Sequence, residues 1–344
     1  LNCIGGYTRS KFTYSFAAAE AMVPHILGSY RAYLDTCTSW ESIEENTELF
    51  ICFGGVPLKN GQIAQGGTGS HKQKEKLIRS ANAGIKFVNF SPLKSDLLDE
   101  VNGEWLALRP NTDVAIMLGL AHTLYKEKLY DDKFIEKYTE GFDTFLPYLQ
   151  GDIDGIVKDA NWASSISEIP SEKIISLAKE MSSKRTMISV SWSLTRQDHG
   201  EQPFWAAIML ASMVGQIGLP GGGFGFGYSA TNHIGGQFSI IPGAAFPQTQ
   251  NKIEDFIPVA RISDLLLNPG GSFDFDGKEY KYPDIKLIYW AGGNPFHHHQ
   301  DINRLLQAWQ KPETIISNEW CWNSLAKYSD IILPCTTPLE RQDI

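Results

Sequence analysis

The feature that most constrains this chain is an arrangement it carries twice. Leu287-Ile-Tyr-Trp-Ala-Gly-Gly-Asn-Pro-Phe-His-His-His-Gln-Asp301 runs an apolar stretch into two glycines, an asparagine and a proline. Phe50-Ile-Cys-Phe-Gly-Gly-Val-Pro-Leu-Lys-Asn60 repeats the pattern. Each reads as a buried strand that stops in a tight loop. In open α/β sheets, ligands sit in the crevice at the carboxyl ends of the strands. Glycine there removes the Cβ that would hold backbone N–H groups away from an anionic or planar ligand. Two such elements predict an α/β chain with two similar binding halves.

The intervening sequence extends this reading. Residues 1–35 predict a loop and then a helix interrupted at Pro24. Strands are expected over 48–53 and 85–90, with a helix over 71–83 between them that ends at Gly84; this is one right-handed crossover unit. Lys59, just past the first strand, is either a solvated lysine or a point charge beside an oxygen of a bound ligand such as a phosphate. Asn111, Thr112 and Asp113 precede a periodic helix, so they read as a helix cap that also aims N–H groups at the sheet edge. Residues 127–184 read as mostly helical, and a third strand is expected over 186–191. It runs into Trp192, Ser193 and Arg196: the arginine could grip a phosphate or pair with Asp198 or Glu201, and the tryptophan could cover a ring.

Residues 203–215 are apolar on all sides, which predicts a buried helix. The glycine-rich run over 215–227 lacks the Gly-Lys-Ser/Thr ending of a phosphate-binding loop, and it follows a helix rather than a strand. Residues 228–257 are polar and rich in Gly, Pro and Gln, which predicts a linker. Helices are expected over 257–267 and 301–309, with strands over 286–290, 313–317 and 330–333. The run His297-His298-His299 does not read as a metal site, because consecutive side chains diverge where an i, i+4 pair would converge; one ring hydrogen-bonding a ligand fits better.

Composition narrows the function classes. A net charge of -9 argues against a nucleic-acid duplex as partner, and an anionic ligand would need local cations. None of the five cysteines forms a CxxC pair, which argues against an iron–sulfur or structural zinc site within the chain. The longest apolar run, residues 204–211, is far short of the ~20 residues that span a bilayer. A length of 344 residues suggests about two or three domains at roughly 100–200 residues each.

At Gly292-Gly-Asn-Pro-Phe-His-His-His-Gln-Asp301 the chain resembles the dimethyl sulfoxide reductase family of molybdenum enzymes, in its biotin sulfoxide reductase and trimethylamine-N-oxide reductase branch. Arg109-Pro-Asn-Thr-Asp-Val114, Gly215-Gln-Ile-Gly-Leu-Pro-Gly-Gly-Gly-Phe-Gly225, Lys327-Tyr-Ser-Asp-Ile-Ile-Leu-Pro334 and Leu339-Glu-Arg-Gln-Asp-Ile344 carry the same resemblance in family order. It implies two Rossmann-like, doubly wound α/β cofactor-binding domains. Residues 1–226 would form one, 258–344 part of a second, and 227–257 a linker belonging to another domain. It implies a bis(molybdopterin guanine dinucleotide) cofactor with molybdenum, one guanosine end on each domain. By motif match, Lys59, Asn60, Phe90, Ser91, Asn111, Thr112, Asp113, Trp192, Ser193 and Arg196 would approach it in the first domain. Asn294, His298, Asn318, Glu319 and Arg341 would do so in the second. Asn318 and Glu319 stand where family members carry a Gln–Asp pair. The serine that ligates molybdenum is expected outside the chain, so an internal piece without catalytic or metal-ligating residues, inactive alone, is implied.

The implied activity is reduction of an S-oxide or N-oxide by oxygen-atom transfer. Electrons would come from a c-type cytochrome or a soluble reductant, in the periplasm or alternatively the cytoplasm. A formate dehydrogenase or nitrate reductase relative and a non-catalytic nucleotide-binding scaffold are the competing readings.

Overall fold

The computed structural model describes residues 1–61, 70–236 and 247–342. The chain divides into two compact units, Ser15–Ile241 and Leu1–Tyr14 with Pro242–Ile344. These boundaries differ from the division at 226 and 258 that the sequence suggested.

The larger unit is built on five strands: β1 (Leu49–Phe53), β2 (Lys86–Phe90), β3 (Glu104–Leu106), β4 (Thr186–Val190) and β5 (Gly223–Phe226). Every neighbouring pair is parallel and the spatial order is β3-β2-β1-β4-β5. The chain therefore leaves the centre first towards β3 and later towards β5. The order reverses between β1 and β4, which makes their carboxyl ends the topological switch point. All residues of β1 and β4 are buried, as strands covered on both faces require. Among the covering elements, the helix Asp113–Lys126 packs against Ala160–Ser167, Ser171–Ser183 and Gln202–Val214.

Three sequence expectations change here. The glycine-rich run contains a strand, β5, that no hydrophobic period signals. Its glycines leave room for aromatic rings: a Cβ on Gly225 would overlap the Tyr228 ring, and one on Gly227 the Trp192 indole. Residues 228–236 are not a linker. Tyr228 and Ile234 are fully buried, and Tyr228 stands edge-on to Trp40 at 5.2 Å while its hydroxyl donates to Thr38 O at 2.7 Å. Residues 237–246 of the expected linker lie outside the described residues. Pro24 does not interrupt the first long helix, which runs Ala17–Leu27 and stops at Gly28. So near the end of a helix, proline disturbs little of the hydrogen-bond ladder.

The smaller unit carries a parallel sheet of β6 (Leu287–Ala291), β7 (Thr314–Glu319) and β8 (Ile331–Pro334) in that order. Arg9–Lys11 pairs in parallel with Phe256–Pro258, which draws the first residues into this unit. Phe256–Pro258 is thus a strand where a helix was expected; the helix itself is Ile262–Leu267. Ser272–Phe275 and Lys278–Lys281 form a hairpin around Asp276 (φ 50) and Gly277 (φ 74). The strand β6 is present but only half covered. Ile288 and Trp290 face the core, where Trp290 meets Trp309 at 5.8 Å, while Leu287 and Tyr289 are exposed. Ile331 and Leu333 of β8 are exposed on the same sheet face, since the register pairs Tyr289 with Ile316 and Ile316 with Ile331.

Candidate functional site

In the larger unit the strand ends are fixed at one level by backbone hydrogen bonds. Gly54 N–H donates to Phe90 O at 2.8 Å, Ser191 N–H to Phe53 O at 2.8 Å and Gly227 N–H to Val190 O at 2.9 Å. The turn after β1 needs glycine: Gly54 and Gly55 have φ of 81° and 76°, and a Cβ on Gly55 would lie 2.5 Å from Asp96 Cβ. Asp96 then gathers the polar groups. Lys59 Nζ is 3.0 Å from Asp96 Oδ1, and Ser91 Oγ donates to Asp96 Oδ2 at 2.7 Å. Lys59 is thus ion-paired, yet 61% of its side chain is exposed. The Asp96 side chain is only 13% exposed but keeps its hydrogen bond from Ser91, and a pair whose cation lies largely in water contributes about 0–1 kcal/mol, so the ammonium can turn to an anion at small cost. Asn60 beside it is exposed.

At the end of β4, Ser193 Oγ donates to Ser191 Oγ at 3.0 Å, and Trp192 packs on Phe16 at 4.5 Å and against Gly227. Arg196 closes this short turn; its Nη1 donates to Ser15 O at 3.1 Å. Asn111 sits exposed in the left-handed region (φ 66) at the entry to the helix Asp113–Lys126. The expected capping hydrogen bond is not made: Thr112 Oγ1 donates back to Arg109 O at 2.6 Å. Asp113 is 5% exposed, and burial pushes its carboxyl up to about 6. Carboxyls shifted in this way cluster where ligands bind. Phe90 differs from expectation. Its ring is fully buried and stacked on Phe53 at 4.9 Å, so it shapes the sheet and presents no side chain at the edge.

One rung below the edge, Asn89, Cys52 and Ser189 stand in register, all fully buried. The Asn89 amide and the Ser189 hydroxyl have no hydrogen-bond partner, which leaves unsatisfied polar groups directly beneath the switch point. A surface cleft lined by Glu48, Asp131, Arg185 and Gln216 opens at the opposite, amino edge of the sheet, away from these groups.

The smaller unit repeats the design. Gly292 (φ 81) and Gly293 (φ 72) turn the chain after β6, and a Cβ on Gly292 would meet nothing within 4 Å, so the backbone lies open. Asn294 Oδ1 accepts from Phe296 N–H at 3.0 Å, and its Nδ2 donates to Ser324 Oγ at 2.9 Å. Asn318, half-buried, is the penultimate residue of β7, and Glu319, which ends the strand, is 8% exposed; Glu319 Oε2 accepts from Asn323 Nδ2 at 2.7 Å. Arg341 is exposed, and its Nη1 donates to Thr336 O at 3.2 Å.

The three histidines separate. His297 and His298 are exposed at the end of the helix Pro295–His298. His299 is buried, with Nδ1 2.9 Å from the Tyr14 hydroxyl, which also reaches Val259 O and Gln300 Oε1 at 3.1 Å. Burial, and after it the neighbouring His298, bring the His299 imidazole down to about 4. Its neutral form is therefore favoured in the folded state. The stability it contributes is complete above its ordinary value near 6.5 and is lost as pH falls towards 4. In an NMR titration His299 should keep a neutral ring at pH 5; a His299 midpoint above 6 would contradict this packing.

Of the expected residues, Lys59 and Ser91 meet at Asp96, and Ser193 meets the Gly54 turn: a Cβ on Gly54 would lie 3.1 Å from Ser193 Oγ. Asn294 joins Ser324, and Glu319 joins Asn323. Asp96, Asn323, Ser324 and Tyr14 were not anticipated. Each acts through a partner distant in sequence or through a short side chain without a pattern of its own. Among the described residues no group of three or more His, Cys, Asp or Glu could hold a metal ion, and no helix is long and apolar enough to cross a membrane.

The sequence matches the molybdopterin oxidoreductase family over residues 1–344. It is 46% identical over 344 residues to a biotin sulfoxide reductase of Cereibacter sphaeroides, which covers 100% of this chain and 46% of that protein. It is 42% identical over 364 residues to a dimethyl sulfoxide/trimethylamine N-oxide reductase of the same organism (100% and 43%). It is likewise 42% identical over 355 residues to a trimethylamine-N-oxide reductase of Haemophilus influenzae (100% and 43%). The chain thus spans a little under half the length of these relatives. The solved structure of acetylene hydratase from Pelobacter acetylenicus shares the fold, with a TM-score of 0.56 at 16% identity over 92% of this chain and 44% of that one. With the whole chain matched, this protein belongs to the molybdopterin oxidoreductase family, whose enzymes use molybdenum and molybdopterin.

Proposed function

We propose that this chain is the cofactor-holding part of a reductase that removes oxygen from S-oxides or N-oxides such as biotin sulfoxide, dimethyl sulfoxide or trimethylamine N-oxide. The observation that carries the reading is the 46% identity to a biotin sulfoxide reductase along the entire chain. The strand-edge residues fit the group the reading requires, a bis(molybdopterin guanine dinucleotide) with one guanosine end on each unit. Its chemistry when bound is oxygen-atom transfer, with electrons from a c-type cytochrome or a soluble reductant.

The chain's own residues bind and orient. Lys59 supplies a mobile positive charge for a phosphate, Ser193 a hydroxyl that would turn from Ser191 to donate to it, and Arg196 a planar fork for paired phosphate oxygens. Buried carboxylates accept from the N–H edge of a guanine, the role of Asp113 in the larger unit and Glu319 in the smaller. The unsatisfied Asn89 and Ser189 give the larger site a polar floor. In the smaller unit the open Gly292–Gly293 backbone admits close approach, with Asn294 held in place by Ser324.

Guanosine diphosphate is a direct probe of such sites. Lys59→Ala should leave the unfolding free energy within about 1 kcal/mol of the parent, because a pair whose cation lies largely in water contributes little and Ser91 still donates to Asp96. It should also weaken GDP binding to the larger unit at least fivefold in a calorimetric or NMR titration. Equal GDP affinity in the variant would remove Lys59 from the site.

A further inference from the structure

In the smaller unit, β7 ends in a loop that pushes two large rings into solvent. Trp320 is 69% exposed and Trp322 75% exposed. The loop has a fixed neck. Asn323 Nδ2 donates to Glu319 Oε2 at 2.7 Å, Asn323 N–H donates to Cys321 O at 2.9 Å, and Cys335 N–H on the β8 side donates to Glu319 O at 3.0 Å. Asn323 Oδ1 also accepts from Ala326 N–H at 3.0 Å, which anchors the far side of the loop to the helix Ser324–Lys327. The two indoles are therefore held out by an ordered frame. Exposing a Trp forgoes much of the burial a ring of its size could obtain, and the loop at the carboxyl end of a central parallel strand, which carries both, is where a ligand would cover them.

The chemistry at the neck selects the ligand. Glu319 is 8% exposed and keeps its carboxylate at the base of the loop. A carboxylate accepts paired N–H groups such as N1–H and the exocyclic amine of guanine, and an indole stacks on the face of the same ring. We infer that Trp320 and Trp322 form an aromatic platform that stacks the purine whose N–H edge Glu319 reads. This rests on the guanosine-binding role proposed above and adds which residues grip the base face and which read its edge. The two contributions separate in ligand choice: stacking tolerates any purine, whereas the carboxylate distinguishes guanine from adenine.

The test titrates GDP and, separately, ADP into the full chain, with the backbone amides of Asn318 and Asn323 as local reporters of the dissociation constant. Thermal unfolding of each variant checks that the unit stays folded. The double variant Trp320→Ala/Trp322→Ala should bind GDP at least tenfold more weakly, about 1.4 kcal/mol. Trp320→Phe/Trp322→Phe should recover most of that loss. Glu319→Gln should retain stacking but bring GDP and ADP closer to equal affinity. If the parent chain binds GDP at these reporters and the double alanine variant binds it equally well, the platform is refuted while the guanosine site stands. If the parent shows no change at these amides with millimolar GDP, the guanosine reading of this unit fails, and the platform with it.

Discussion

Replacing Asp113 by asparagine is expected to stabilise the larger unit by about 2–3 kcal/mol at pH 7 and to change nothing at pH 3.5. The carboxyl is 5% exposed at the start of the helix Asp113–Lys126, and burial raises it to about 6 from 3.8. The folded state thus holds a proton that the unfolded chain releases. Stability is fully present below 3.8 and is lost as pH rises through 6, at about 1.36 kcal/mol per pH unit across that window. Asparagine matches the protonated side chain in shape and carries no charge, so it escapes the penalty. Urea unfolding of parent and variant at both pH values measures the difference; an equal gain at pH 3.5 would show that the carboxylate's burial is not the cause. A chain keeps such a residue at a cost when the ionised form is used. On the proposed role, Asp113→Asn should bind GDP more weakly while unfolding later.

Gly55→Ala should cost the larger unit about 2–5 kcal/mol. The residue is in the left-handed region at φ 76°, which disfavours any Cβ by roughly 1–2 kcal/mol. The new methyl would also fall 2.5 Å from Asp96 Cβ and 3.0 Å from its carbonyl carbon, so backbone would have to move, with an overpacking cost of about 1–3 kcal/mol. That shift would displace the carboxylate that ties Lys59 to Ser91. Gly292→Ala is the matched control: φ is 81°, but a Cβ there meets nothing within 4 Å, so only the backbone cost of about 1–2 kcal/mol applies. Equal losses at the two positions, read from denaturant midpoints, would deny the crowding at Asp96.

The contrast between these glycines shows what the sequence could convey. Both strand–Gly-Gly turns were legible because each combines an apolar run with residues that only a tight left-handed turn demands. Strands β1, β2, β4, β6, β7 and β8 fall within two residues of their expected limits for the same reason. The glycine-rich β5 was not legible. Its pairing depends on Tyr228 and Trp192 filling the space its missing side chains leave, a relation no local period records. The hairpin over 272–281 did carry a signal, Asp276-Gly277 between aromatic-rich runs, which is the usual chemistry of a two-residue turn.

At the site, residue types were readable and their partners were not. Lys59 invited either a solvated or a ligand-binding reading; its actual neighbour, Asp96, lies 37 residues on. The histidine run drew attention to His298, whereas the buried ring is His299, held by Tyr14 from 285 residues away. Phe90 entered by motif match alone and proves to be core, because the match locates a strand end without saying which face each side chain takes.

The most direct measurement is an NMR map of GDP binding over the backbone amides of the whole chain. Shifts should concentrate at the carboxyl edges, around Gly54–Lys59 and Ser191–Arg196 in the larger unit and around Gly292–Asn294 and Glu319–Asn323 in the smaller. Shifts confined to the cleft at Arg185 and Gln216 on the amino edge, or none at millimolar GDP, would contradict the claim that these strand ends hold the nucleotide ends of the cofactor.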